Sequence, residues 1–434
     1  MGPTLGLGEG GICLKAARRT SLKSPGAGAR LAGRDLSCSR AAMKKIVALR
    51  ALVQEGLDQG ADYHAKPEGH WINSTVIATP MSRYPEYQAT RRSFGIDVLG
   101  TVLVEVEAAD GTVGFALTTG GVPAAYLIEK HFRRFVVGQP ATNLEVMFDQ
   151  MYHASLYYGR KGLTLNAISA VDCAVWDLLG RLRQEPVWAM IGGKMRERQP
   201  MYATGPRPDL AKQLGFIGGK IPLPYGPAHG EEGLRQNIEL AARMRAACGP
   251  DFFLAFDCWM ALTPAYALRL IDALRPFNFR WIEECLPPDD YAGYRQLVEQ
   301  RSHPIMISSG EHEYTRWGFE NLLATGVDLV QPDIHWCGGL TELLKIKALA
   351  SARSRLCVLH ASSVYSYHFA IASDATPFSE FLMMAPAADR IVPMFQPLFT
   401  NETVPVDGHI TVSDAPGFGV DLNPALRWSR PFPS

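Results

Sequence analysis

The 434-residue sequence predicts a (β/α)8-type barrel preceded by a smaller α+β domain, and three observations carry that reading. From Phe253 to Met384, single acidic or histidine residues close successive short apolar runs. They are Asp257, Glu283, Glu311, Asp333, His360 and Glu380, at gaps of 26, 28, 22, 27 and 20 residues. Each gap fits one strand, one helix and two short loops, which puts each polar residue at the C-terminal end of a successive parallel strand. Apolar runs near 201–203, 215–221, 252–257, 280–284, 305–309, 329–332, 356–359 and 381–384 supply eight strands, with helical patterns over 232–247, 264–274, 294–300 and 340–352 between them. The length also leaves room for a second domain of roughly a hundred residues.

In chain order, residues 1–42 hold Lys15, Arg18, Arg19, Lys23, Arg30, Arg34 and Arg40 against only Glu9 and Asp35, amid Gly, Ala and Ser. Such a segment is expected to be disordered. It reads as an in-frame extension upstream of Met43, with an organelle transit peptide as the second reading. Residues 43–165 form the expected α+β capping domain. Within it, 97–108 is β-rich, Asp110-Gly111 supplies a turn and 112–119 returns as the second strand of a hairpin. The polar, aromatic stretch between His64 and Gly95 has no strong period and reads as a long functional loop. Leu165, Ile168, Val171, Val175, Leu178 and Leu179 mark a bridging helix over 164–185. The barrel is expected over 166–390, and the turn-rich segment 391–434 is expected to pack back on the capping domain.

Composition narrows the function classes. Hydrophobic residues make up 47% and charged residues 20%, as in ordinary globular domains. Lysine plus arginine and aspartate plus glutamate both number 43, so no net field points to nucleic acid or an anionic membrane. No apolar run approaches a bilayer-spanning length. The eight cysteines show no CxxC pair or framework spacing and read as reduced thiols of a cytoplasmic protein.

The spaced ring carries the chemistry. Asp257, Glu283 and Glu311 come from three consecutive βα units, and three converging carboxylates call for a hard divalent cation. Oxygen-only donors favour Mg2+ over zinc. Asp333 and His360 follow on adjacent units, where a carboxylate beside an imidazole fixes its tautomer and raises its basicity, giving a general base.

Several stretches carry a family resemblance: Asp257-Cys258-Trp259, Trp281-Ile282-Glu283-Glu284-Cys285, Ser309-Gly310-Glu311-His312, Gln331-Pro332-Asp333 and His360 with Ser362-Ser363-Val364-Tyr365. Together they resemble the enolase superfamily, and within it the mandelate racemase subgroup, over roughly residues 60–423. That resemblance implies an enolase-like modified barrel and an Mg2+-dependent acid-sugar dehydratase. In such an enzyme His360 removes the proton alpha to the carboxylate and the 3-hydroxyl is then lost. It implies L-rhamnonate first as substrate, with L-mannonate or L-lyxonate as alternatives, and a homo-oligomer with no nucleic-acid or membrane partner. The remaining alternative is a catalytically silent barrel. Glu380, near the metal carboxylates, is expected to be neutral and to donate a hydrogen bond to the reacting oxygens.

Racemases of the subgroup carry a second lysine two residues after the one ending the second strand, whereas this chain has Lys220-Ile221-Pro222. Proline is no base, which favours elimination. Lys220 is expected to pair either with the substrate carboxylate or within a structural ion pair. His64 and Arg91 match the family's substrate-binding positions in the capping loop, which is expected to close over the barrel mouth. Ala361, Tyr367 and His335 depart from the pattern expected of close relatives, a hint of a related aldonate.

Overall fold

The computed structural model describes residues 44–54, 69–89, 99–361 and 363–432. Residues 1–42, His64 and Arg91 lie outside them. The capping domain begins with strands β1 (Ile46–Gln54), β2 (Thr101–Ala108) and β3 (Val113–Thr119), in antiparallel order β1–β2–β3. The Asp110-Gly111 turn joins β2 to β3, with Gly111 at φ +85°, a backbone that glycine adopts without penalty. Helices α1 (Leu144–Ser155) and α2 (Leu163–Arg183) follow.

The bridging helix α2 packs against β2 and β3 on one side and the barrel on the other, and most of its side chains are buried. Among the described helices it alone is long and apolar enough to cross a membrane, which the sequence was not expected to contain, and it is 89% buried as a core helix. Its contact with the sheet is close: a Cβ on Gly114 would lie 2.2 Å from the Leu178 nitrogen. Asp177 of α2 accepts from the backbone N–H of Phe115 at 3.0 Å, the N–H of Phe418 at 2.9 Å and Arg181 Nε at 2.7 Å. One buried carboxylate therefore joins hairpin, bridging helix and C-terminal segment.

The barrel strands are β4 (Gln199–Thr204), β5 (Gly218–Pro222), β6 (Phe253–Asp257), β7 (Phe279–Glu283), β8 (Met306–Ser309), β9 (Leu329–Val330), β10 (Leu356–Cys357) and β11 (Ser379–Leu382). They are parallel, in the order β11–β4–β5–β6–β7–β8–β9–β10. Between β5 and β11 run α3 (Gly230–Cys248), α4 (Pro264–Leu274), α5 (Tyr291–Gln300), α6 (Thr315–Leu323), α7 (Gly339–Ala352) and α8 (Ser363–Ile371). Tyr202, Ala255, Trp281, Leu329, Val358 and Phe378 fill the interior as an apolar plug, with the Trp281 and Phe378 rings stacked. In the C-terminal segment, Trp428–Ser429 pairs with β1 and His409–Ile410 with β4, so the segment returns to the barrel as well as to the capping domain.

Two details differ from the sequence reading. Helices α6 and α8 were not predicted; α8 (Ser-Val-Tyr-Ser-Tyr-His-Phe-Ala-Ile) is buried along its whole length and has no polar face to set a period. The last strand begins at Ser379, which puts Glu380 within it instead of before it.

The Asp177 junction generates a stability prediction. Asp177→Ala strands two buried N–H groups and the Arg181 guanidinium, and we expect a loss on the order of 3 kcal/mol in denaturant unfolding. A change below about 1 kcal/mol contradicts the role given to this carboxylate.

Candidate active site

The plug sets the floor of the site, and strand alternation lifts polar side chains above it. On β7, Trp281 and Glu283 are two apart and share the inner face, and Trp281 Nε1 donates to Glu283 Oε2 at 3.0 Å. Lys220 on β5 rises from the same interior and is 1% exposed. Its Nζ bonds Glu283 Oε1 and lies 2.9 Å from Glu380 Oε1 and 3.5 Å from Asp257 Oδ2. Asp257 and Glu283 end neighbouring strands and are paired in register.

Asp257, Glu283 and Glu311 each offer an oxygen, and these oxygens lie within 4.8 Å of one another. Their unused directions are held by donors: the Trp259 N–H to Asp257 at 3.2 Å, Gln331 Nε2 to Glu283 at 2.7 Å and Trp259 Nε1 to Glu311 at 3.2 Å. The donor set is oxygen only, oriented and partly open at Asp257, which fits a hard divalent cation. Burial pushes Glu283 up to about 8, and the neighbouring Asp257, Glu380 and Glu311 charges add to that shift against the pull of Lys220. Glu311 is raised as well, again chiefly by burial.

Asp333 and His360 stand beyond the ends of β9 and β10, with His360 Nδ1 2.7 Å from Asp333 Oδ2. His360 Nε2 is thereby left facing the carboxylates, 3.8 Å from Glu311 Oε2. Burial lowers the basicity of His360, but Glu311 and the Asp333 hydrogen bond outweigh it and push the imidazole up to about 10. A wall of rings closes this side: Trp336 lies 5.2 Å from the His360 ring, and His312 5.5 Å from that of Trp336. From the capping domain, Trp71 is buried and its Nε1 donates to the Met383 carbonyl at 2.5 Å, which anchors segment 69–89 to the barrel beside β11.

Glu380 requires a correction. It was expected to be neutral and to donate; instead it accepts from Thr204 Oγ1 and from the Ala361 N–H at 3.0 Å, beside Lys220. Burial raises it, but Lys220 and then His360 outweigh burial and hold it below the ordinary carboxylate range. That direction is opposite to the neutral form expected of it. Of the two readings left open for Lys220, the structure places it in the internal ion pair. Sequence reasoning missed Trp281, Gln331 and Trp259 as the donors that orient the carboxylates. Trp281 was legible, two residues before Glu283 on an alternating strand; Thr204 left no signal.

Domain models of known families match both halves of the chain. That of the mandelate racemase / muconate lactonizing enzyme N-terminal domain matches residues 76–192, and an enolase C-terminal domain-like model matches residues 212–426. An L-rhamnonate dehydratase of Saccharopolyspora erythraea is 56% identical over 389 residues, covering 89% of this chain and 99% of its own. The crystal structure of a rhamnonate dehydratase from Gibberella zeae complexed with Mg matches at a TM-score of 0.85 with 47% identity, covering 88% of this chain and 95% of that one. The 3,6-anhydro-D-galactonate cycloisomerase of Zobellia galactanivorans matches at 0.67 with 28% identity, covering 87% and 97%.

The raised Glu283 predicts how pH acts on the metal-free protein. The folded state keeps this proton at pH values where the unfolded chain, titrating near 4.5, has lost it. Stability from this group is therefore full below pH 4.5 and falls as pH rises towards about 8. A divalent cation displaces that proton and loosens the one on His360, so its affinity should rise with pH by roughly tenfold per unit or more below about 8 and keep rising more gently towards about 10. Calorimetric titration with Mg2+ from pH 6 to 9 tests this, and a pH-independent affinity contradicts it.

Proposed function

The chain belongs to the mandelate racemase / muconate lactonizing enzyme family, and from that premise we propose that it dehydrates L-rhamnonate to the 2-keto-3-deoxy acid with Mg2+. It is a hydro-lyase acting on a small acid sugar. The observation that carries this reading is a three-carboxylate cation site with the Asp333–His360 dyad beside it.

Asp257, Glu283 and Glu311 hold the ion in this reading. When bound, Mg2+ supplies positive charge to the substrate carboxylate as negative charge builds on its oxygens, and it draws off the carboxylate charge that keeps His360 protonated. His360 Nε2 takes the proton alpha to the substrate carboxylate, while Nδ1–H, donating to Asp333, keeps the ring in the required tautomer. The same nitrogen then passes that proton to the departing 3-hydroxyl, which leaves as water. The resulting enol becomes the 2-keto-3-deoxy acid. Lys220 and Glu380 form the buried charge pair beneath the site.

Pro222 supports elimination over racemisation. It ends β5 opposite Asp257, at the position where racemases of the family carry their second lysine, and has no proton to give or take. In this reading Arg91 holds the substrate carboxylate or a distal hydroxyl and His64 a polyol hydroxyl, supported by their match to the family's substrate-binding positions. We place the enzyme in the cytoplasm as a homo-oligomer without nucleic-acid or membrane partners. Buried free thiols such as Cys173 and Cys357 support a reducing compartment. The homo-oligomer follows from the family resemblance alone.

The test is a panel of acid sugars incubated with enzyme and Mg2+, with 2-keto acid as the readout. L-rhamnonate should react fastest and chelation should stop the reaction; preference for L-mannonate or L-lyxonate reassigns the substrate, and no turnover of any acid sugar removes the enzymatic reading. His360→Asn should lower kcat by roughly 10²–10⁴-fold with the fold intact. Near-normal kcat in that variant contradicts its role as the base.

A further inference from the structure

Asp333 has two carboxylate oxygens, and the hydrogen bond to His360 engages only Oδ2. Oδ1 accepts from the backbone N–H of His335 at 2.6 Å, and Asp333's own carbonyl accepts from the N–H groups of Trp336 at 3.0 Å and Cys337 at 2.8 Å. The orientation of the carboxylate thus follows the backbone of residues 335–337. Thr118 on β3 of the capping domain donates its hydroxyl to the His335 carbonyl at 3.1 Å, across a buried contact between the two domains. Thr118 is 3% exposed, so water offers that carbonyl little substitute.

The His335 side chain is wedged rather than hydrogen-bonded. Its ring lies edge-on to Tyr365 at 4.5 Å and tilted to Phe395 at 5.9 Å, and Glu402 holds Phe395 by accepting its N–H at 2.8 Å. Burial pushes the imidazole down to about 4, so His335 stays neutral and is no rival acid or base to His360. His335 is therefore fixed by its ring on one side and its carbonyl on the other, with its N–H aimed at Asp333.

We infer that Thr118 and His335 are positioning residues through which the capping hairpin sets the angle of the Asp333–His360 dyad. This rests on the reading of His360 as the base. Catalytic groups need placement within about 0.5 Å, and a shift of about 1 Å can cost roughly a hundredfold in rate. The hairpin supplies that precision without touching substrate, which makes the capping domain part of the base as well as a cover for the site.

The test uses full-length, Mg2+-loaded enzyme. Thr118→Val keeps the shape of the side chain and removes the hydroxyl; Thr118→Ser restores it. Thr118→Val should lower kcat on L-rhamnonate by about tenfold, part of the roughly hundredfold that a full 1 Å displacement costs. KM and Mg2+ affinity should stay near wild type, because no cation or substrate contact changes, while the thermal midpoint should fall modestly, because the buried His335 carbonyl loses its donor. Thr118→Ser should recover most of kcat. Proton NMR should show the downfield His360 Nδ1–H signal shifted in Thr118→Val and returned in Thr118→Ser. Unchanged kcat and signal in Thr118→Val, or a serine variant as impaired as the valine one, overturns the inference. If wild type turns over no acid sugar, the functional reading fails while the NMR comparison still decides the positioning role.

Discussion

Four carboxylates at the mouth of one barrel, with one lysine among them, is the constraint around which this structure is arranged. Asp257, Glu283, Glu311 and Glu380 repel one another, and Lys220, 1% exposed, is the fixed positive charge that lets them share the space. A buried cation is tolerable only when its partners surround it, and here three carboxylates do so. One lysine does not balance four acids. The remainder shows as the raised Glu283 and as the proton held by His360. Both are charges that a divalent cation takes over when it binds.

The scaffold holds this arrangement by register and by strain. Trp281 beneath Glu283 ties the polar layer to the apolar plug, so that packing at the barrel floor orients a carboxylate of the candidate cation site. Beyond the strand ends, Trp259, Met260 and Glu284 adopt left-handed backbone at φ 41°, 63° and 46°. Such conformations cost on the order of 1–3 kcal/mol each and persist where the surroundings enforce them. Here the enforcement is visible: the Cys258 N–H donates to the Glu283 carbonyl and the Leu262 N–H to that of Cys285, binding the two ligand-bearing loops together. Glu284, adjacent to a cation-binding residue, serves the scaffold; it accepts from Ser309 and from the Gly310 N–H just before Glu311.

Much of this was legible in the chain. Asp257 and Glu283 end their strands, and Glu311, Asp333 and His360 lie shortly beyond theirs, because a βα unit fixes both the length of a repeat and the end at which its polar residue emerges. The hairpin was legible from Asp110-Gly111 and the bridging helix from its period. Strands β9 and β10 were legible as apolar runs although only two residues of each are paired, whereas α8 leaves no amphipathic pattern and was not legible. The charge state of Glu380 was not legible either. It depends on which way Lys220 points and how far it reaches, matters of three-dimensional register between β5 and β11 with β4 between them. Thr118 was out of reach for the same reason, since its partner is 217 residues away.

The account stands on one geometric claim: a single cation held by three strand-end carboxylates, with the alpha carbon of the substrate presented to His360. The most direct measurement is a crystal structure of the enzyme with Mg2+ and an acid-sugar analogue that cannot lose its 3-substituent. The account predicts Mg2+ about 2.0–2.1 Å from oxygens of Asp257, Glu283 and Glu311, and the analogue's alpha carbon in contact with His360 Nε2. A cation seated elsewhere, or an alpha carbon turned towards Pro222 and away from His360, contradicts it.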